Sequence, residues 1–304
     1  MIAVDWGTTN LRAYLLNAKG KILDHRSCPG GVMSVQDRNF EAPLLSVVGE
    51  WLAQAKLPLI AAGMIGSRQG WREAPYLPCP ARIEVAAQQL TAVPFQDSQG
   101  QSHQLLIGAG VQCVDDSGLH DVMRGEETQL WGSDLSDGAV CILPGTHCKW
   151  AWMGKAGEIQ KFRTYMTGEL FALLTKHGIL GRLMKPGQDD LAFKRGVLLG
   201  KNDSAHASHI IFSARTAGLM GTLAAESLSE YLSGILIGLE IGSSLKMTGA
   251  LPEQIHLIGD DELCMRYAQA LHAVDIQAVR SQSEATAGLW KLAQAAGCMK
   301  VSSP

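Results

Sequence analysis

The chain has 304 residues, 46% hydrophobic and 18% charged, with 33 glycines, which suits a turn-rich α/β protein long enough for two domains. A net charge of −3 supplies no basic field, so nucleic acid and anionic membrane are not expected partners and a small molecule is. Seven cysteines without a CxxC pair fit reduced thiols rather than a disulfide framework or a zinc site, and the expected compartment is the cytoplasm.

In chain order, residues 2–15 predict an apolar strand, a Gly7-Thr8 turn and a return strand carrying Arg12. The first apolar run contains Asp5 and lacks a basic lead, so no signal peptide is expected. A turn at 17–20 and a strand at 21–25 complete a three-stranded meander. A helix over 39–55 leads into a strand at 57–62 that ends at Gly63. Gly108-Ala109-Gly110 has Cys113 where the third glycine of GxGxxG belongs, so no dinucleotide site is expected there. A helix opens within Arg124-Gly125-Glu126-Glu127-Thr128-Gln129.

Residues 140–153 then repeat residues 2–15: Gly145-Thr146 stands at the offset of Gly7-Thr8, Ala151 at that of Ala13, and Trp152 at that of Tyr14. A turn at 154–157 and a strand at 158–162 close a second meander. The stretch 222–246 reads as a long helix whose most apolar part, interrupted by Glu240, is buried rather than membrane-spanning. A strand at 255–258 ends at Gly259, and 283–296 is a final helix that returns to the first half. The expected domains are 1–133 with 283–304, and 134–282.

A strand running into Asp5-Trp6-Gly7-Thr8-Thr9 has what a phosphate site needs, namely backbone N–H groups that glycine lets approach and two hydroxyl donors. Asp5 is the expected ligand of a magnesium ion, through water. Glu126 is the first choice, and Glu127 the second, for a carboxylate that orients or deprotonates an attacking hydroxyl. The segments 63–76, 147–150 and 161–169 gather glycine, aromatic and cationic residues in expected loops. From them Met64, Arg68, Trp71, Tyr76, Lys149, Arg163 and Tyr165 are the candidate contacts of an acidic ligand.

The two Gly-Thr turns and the Ile255-His256-Leu257-Ile258-Gly259-Asp260 strand and turn resemble the two phosphate loops and the adenosine segment of the actin, hexokinase and heat-shock ATPase superfamily. The resemblance implies duplicated ribonuclease H-like α/β domains with an interdomain nucleotide cleft. ATP phosphates would lie on Gly7, Thr8, Thr9, Arg12, Gly145 and Thr146, and the adenosine near Gly259 and Asp260. One departure is Leu143, where many members carry an aspartate in the second loop; metal binding therefore leans on Asp5.

Across 63–76, 124–129, 144–150 and 161–173, together with the opening Asp-Trp-Gly-Thr-Thr-Asn, the chain resembles the 2-dehydro-3-deoxygalactonokinase family over nearly its whole length. That implies an ATP- and magnesium-dependent kinase for the 6-hydroxyl of 2-dehydro-3-deoxy-D-galactonate, in galactonate breakdown. Two other classes compete with it: a phosphohydrolase of the exopolyphosphatase type, and a non-catalytic nucleotide sensor or chaperone of the same fold. The gluconate epimer as substrate and a homodimer are both left open.

Overall fold

The computed structural model describes residues 1–248, 252–281 and 285–299. The chain divides into two compact units: Met1–Gly138 with Met153–Lys161 and residues 285–299, and Ala139–Trp152 with Phe162–Ser281. The first division falls after Gly138 rather than after Ser133. Among the described residues no helix is long and apolar enough to cross a membrane.

The first unit opens with β1 (Ile2–Trp6), β2 (Leu11–Leu16) and β3 (Ile22–Cys28). It continues through α1 (Glu41–Gln54), β4 (Leu59–Ala62), β5 (Tyr76–Pro78), α2 (Ile83–Gln88), β6 (Thr91–Gln96) and β7 (Ser102–Ile107). Then come β8 (Gly110–Val114), β9 (His120–Met123) and α3 (Glu126–Gly132).

Its main sheet runs β3-β2-β1-β4-β7-β6, and a small second sheet runs β5-β8-β9. β1 pairs antiparallel with β2 and parallel with β4. Sitting inside the sheet, it is buried on both faces except at Asp5, which is why it reads as a continuous apolar run. Trp6, Leu44, Val48, Leu59, Ile65 and Leu105 are among the side chains of the core on this sheet.

The second unit contains β10 (Val140–Leu143), β11 (Cys148–Met153) and β12 (Ile159–Tyr165), then α4 (Thr167–Lys176), α5 (Asp190–Asn202), α6 (Ala207–Leu219) and α7 (Leu228–Leu245). It ends with β13 (Gln254–Leu257), α8 (Asp261–His272) and β14 (Gln277–Arg280), and α9 (Ala285–Ala295) returns to the first unit. Its sheet runs β12-β11-β10-β13-β14, with β10 antiparallel to β11 and parallel to β13. Each main sheet is thus a three-stranded meander extended from its first strand by two parallel strands, with β6 added antiparallel to β7 at the edge of the first, the duplicated ribonuclease H-like α/β fold.

Two expectations are corrected here, and a third falls partly outside the described residues. The stretch 161–169 is not a loop: it is the end of β12 and the beginning of α4. The long helix begins at Leu228 rather than near Thr222, because a separate turn at Ala225–Ser227 precedes it. The final helix is seen from Ala285, and the expected positions 283, 284 and 300–304 lie outside the described residues.

α7 is apolar nearly all round and correspondingly buried. It lies against α5 with almost no side chain between them: a Cβ on Gly196, Gly200, Gly234 or Gly238 would stand 2.1–2.2 Å from a backbone oxygen of the facing helix. Backbones in such contact make α7 a fixed reference in the second unit.

Candidate active site

In the first unit the β1–β2 turn is held from both sides. Gly7 N–H donates to Asn10 O at 2.9 Å, and residues 31–33 donate back to the turn: Gly31 to Thr9 O, Val32 to Gly7 O and Met33 to Thr8 O, at 3.0–3.2 Å. A Cβ on Gly31 would fall 2.3 Å from Thr8 O, so only glycine permits this approach. Thr8 and Thr9 are left exposed at the tip.

Behind the turn, Asp5 faces Arg12 across the β1–β2 register, with Arg12 Nη1 3.5 Å from Asp5 Oδ2. Burial pushes the Asp5 carboxyl above its ordinary range. The Arg12 charge and hydrogen bond oppose that, and the Glu126 charge adds to it. Its side chain still exposes 31% of its surface. Gly63, at φ +94°, packs close behind: a Cβ there would lie 2.8 Å from Trp6 O and 3.6 Å from Asp5 Oδ1.

The two candidate carboxylates of α3 separate in role. Gly125, at φ +113°, turns the chain into the helix. Glu127 folds back under this turn and accepts from Gly125 N–H at 2.7 Å; it is only 1% exposed. Burial, with the nearby Glu126 charge, pushes its pKa up to about 8, against the hydrogen bonds from its own and Gly125's N–H. Glu126 is partly exposed and accepts from Arg124 N–H at 3.1 Å. Of the two, Glu126 is the one that reaches the surface, and Glu127 braces the turn that carries it.

Arg124 ties this turn to the loop ahead of β5. Its guanidinium lies 4.2 Å from the Tyr76 ring centroid and donates to Ala74 O at 2.8 Å. Tyr76 is thus engaged under Arg124, and Trp71 packs between Phe40 and Phe95 at centroid distances of 6.0 and 5.9 Å. Met64 packs against the same core. Arg68 is 84% exposed and paired with Glu73 of its own loop at 3.1 Å.

In the second unit Gly145 and Thr146 stand at the corresponding turn, with Thr146 exposed. The start of α4 sits directly on them. Glu169 N–H donates to Thr146 O at 3.0 Å, and His147 Nε2 lies 2.5 Å from Glu169 Oε2. A Cβ on Gly168 would fall 2.6 Å from Gly145 O and 2.9 Å from Thr146 Cα. Beside the turn a pocket of about 340 Å³ is lined by Gly145, Thr167, Gly168, Ser233, Arg266 and Tyr267, among others.

Gly259, at φ +134°, comes near the same turn: a Cβ there would meet Pro144 O at 3.7 Å. Asp260 caps α8, accepting from Leu263 N–H at 3.1 Å. Lys149 is 4% exposed, with Nζ donating to His147 O at 3.1 Å, and Tyr165 Oη meets Ser243 and Ser244 of α7 at 3.1 and 2.8 Å. Arg163 lies on β12. The candidate acid-ligand residues are therefore split, Met64, Arg68, Trp71 and Tyr76 in the first unit and Lys149, Arg163 and Tyr165 in the second.

The sequence reading passed over the anchoring of α4 at Gly168, the brace by Arg124, and Glu240. The last had a signal: a carboxylate in the apolar middle of an 18-residue helix must be hydrogen-bonded or neutral.

Residues 5–292 match the family model for 2-keto-3-deoxy-galactonokinase. The chain belongs to the 2-keto-3-deoxy-galactonokinase family. A curated relative, the 2-dehydro-3-deoxygalactonokinase of Escherichia coli (strain K12), is 38% identical over 298 residues, 97% of each chain. A Rhizobium meliloti (strain 1021) protein named a probable 2-dehydro-3-deoxygalactonokinase is 35% identical over 96% of each.

Among solved structures, a candidate 2-dehydro-3-deoxygalactonokinase from Sinorhizobium meliloti superposes with a TM-score of 0.87 at 32% identity, over 99% of each chain. The Lactobacillus acidophilus xylulose kinase, at a TM-score of 0.54 and 10% identity over 97% of this chain and 89% of its own, shares the fold. Membership of the 2-keto-3-deoxy-galactonokinase family makes the chain a phosphotransferase with an alcohol group as acceptor, a carbohydrate kinase that uses ATP.

Proposed function

We propose that this chain transfers the γ-phosphoryl group of ATP to the 6-hydroxyl of 2-dehydro-3-deoxy-D-galactonate, giving the 6-phospho sugar acid in galactonate breakdown. The family match and the names of the two curated relatives support the substrate. The observation that carries the chemistry is the partly exposed Glu126 beside Asp5, behind an exposed Gly7-Thr8-Thr9 turn, with Glu127 turned inward.

In this reading the N–H and hydroxyl groups of Gly7, Thr8 and Thr9, with Arg12, hold phosphate oxygens from the first unit, and Gly145 and Thr146 do so from the second. The adenosine lies in the pocket beside Gly145, near Gly259; Asp260 serves by capping α8. Glu126 accepts the proton of the 6-hydroxyl as that oxygen bonds to the γ-phosphorus. The bond from that phosphorus to the bridging oxygen breaks, and ADP leaves with the electron pair.

Asp5 suits a magnesium ion. Its partly exposed carboxylate lies within reach of the charges of both Arg12 and Glu126. Among the described residues no group of three or more Asp, Glu, His or Cys forms a ready-made cage, as expected for an ion that keeps its waters and arrives on phosphates. When bound, it supplies neutralisation of phosphate charge. Arg68, an exposed cation of the first unit's loop, would take the sugar carboxylate. The enzyme's expected compartment is the cytoplasm, where thiols stay reduced.

The test is a coupled assay of ADP formation with ATP, magnesium and a panel holding 2-dehydro-3-deoxy-D-galactonate, its gluconate epimer and simple hexoses. ADP release that requires the galactonate compound is the expected result. Release independent of any acceptor would make the protein a hydrolase, and preference for the epimer would reassign the substrate.

A further inference from the structure

Glu240 is a carboxylate 2% exposed in the middle of α7. Burial raises its pKa, and the hydrogen bonds of four neighbours, Thr167, Cys148, Trp150 and Tyr267, pull it back. Trp150 Nε1 of β11 donates to Oε1 at 2.6 Å, Tyr267 Oη of α8 donates to Oε2 at 2.8 Å, and Thr167 Oγ1, on the first residue of α4, donates to the same Oε2. A buried carboxylate is costly, and an apolar residue of similar volume often serves a core as well. Stability alone therefore gives little reason for it.

The donors share a direction. Thr167 and Tyr267 both line the pocket beside Gly145, and Trp150 lies on the return strand that leaves the Gly145-Thr146 turn. α4 has no fully buried side chain of its own, and its partly buried Phe171 and Leu174, which pack against the core of α5, α6 and α7, lie beyond its first residues. What holds its start is the Thr167–Glu240 hydrogen bond and the backbone contact of Gly168 and Glu169 with the turn. α7, which carries Glu240, is itself locked to α5 through glycine contacts.

We infer that Glu240 is a positioning residue for the nucleotide half of the reaction: through Thr167 it holds the start of α4 against the Gly145-Thr146 turn, and so sets the turn and one pocket wall. This rests on the reading that these groups bind the nucleotide. A hydrogen bond made inside the protein leaves its buried partner unsatisfied when it is removed, so its loss should appear in nucleotide affinity rather than in handling of the acceptor.

The experiment compares wild type with Thr167→Val, which keeps volume and removes the hydroxyl, with Thr167→Ser, which restores it, and with Glu240→Gln. ADP affinity is measured by calorimetry, KM for ATP and for the sugar acid by the coupled assay, and folding by thermal melting.

The expected result is an ADP Kd and ATP KM raised about tenfold or more in Thr167→Val and Glu240→Gln. The sugar-acid KM should stay within about twofold and Thr167→Ser should lie near wild type. A folded Thr167→Val protein with wild-type ADP affinity, or one in which both KM values rise alike, would overturn the inference. If wild type binds ADP but turns over no acceptor, the functional reading fails by itself and the ADP affinity of Thr167→Val still decides the positioning role. Should wild type not bind ADP, both fall. If Glu240→Gln does not fold, Thr167→Val carries the decision.

Discussion

Replacing Gly168 with alanine tests whether the start of α4 controls the second phosphate turn. In an open helix the change is stabilising by about 0.5–1 kcal/mol. Here the new Cβ would stand 2.6 Å from Gly145 O and 2.9 Å from Thr146 Cα, where ordinary contact begins at 3.4 Å. Both neighbours are backbone atoms of the turn, so the helix and the turn must part by roughly 0.5–0.8 Å, at a cost of about 1–3 kcal/mol typical of overpacking.

Net stability should fall by no more than about 2.5 kcal/mol once the helix gain is subtracted. Catalysis should fall further, because a displacement of about 1 Å in positioning groups costs on the order of 100-fold. We expect kcat/KM for ATP to drop about 10- to 100-fold, measured by ADP formation at saturating sugar acid, with the melting temperature followed in parallel. Gly49→Ala in α1 is the control, since its Cβ would meet nothing within 4 Å; it should stabilise and leave activity alone. A Gly168→Ala enzyme within twofold of wild type would refute the reasoning, for it would mean that the turn does not register the helix.

Glu126→Gln should lower kcat by about 10²–10⁴-fold with little change in either KM, whereas an equal effect from Glu127→Gln in a folded protein would overturn the assignment of base and brace. Because the folded-state pKa of Glu127 is raised from 4.5 to about 8, its contribution to stability is fully present below pH 4.5 and is lost as the pH rises through about 8. Melting temperatures across that window should decline less steeply in Glu127→Gln than in wild type, and parallel curves would contradict a buried, proton-holding carboxyl. Asp5→Asn should abolish transfer while circular dichroism and melting remain near wild type; full activity would remove the metal role. Gly63→Ala, forced to φ +94° with its Cβ 2.8 Å from Trp6 O, should lose about 1–3 kcal/mol of stability, read as a lowered melting temperature that an unstrained site would not show.

The strands were legible because buried central strands are continuous apolar runs and their turns carry glycine: Ile2–Trp6 ending at Gly7, and Val140–Leu143 before Gly145. The repeat of those segments determined the duplicated architecture, and the Gly-Thr turns named the candidate phosphate sites, since the hydroxyls and flexible backbone that chemistry needs are local properties. Residues 161–169 were misread for the same reason, because glycine, threonine and aromatics look like a loop wherever they fall. Only the fold makes them a strand edge and a helix start against the turn.

Tertiary structure also decided between Glu126 and Glu127. They are adjacent in a first helical turn and chemically equal in sequence, and only packing around Gly125 sends one inward to its N–H and leaves the other partly exposed, with its charge felt by Asp5. Likewise only the fold shows that Trp71 and Tyr76, candidate ligand contacts, also pack on Phe40, Phe95 and Arg124. The sequence by itself determined which chemical groups the protein owns and the period on which its backbone repeats. Which of those groups face solvent, and which spend their hydrogen bonds inside, depended on contacts between residues far apart in the chain: Glu240 finds Trp150, 90 positions away, only once both have been packed.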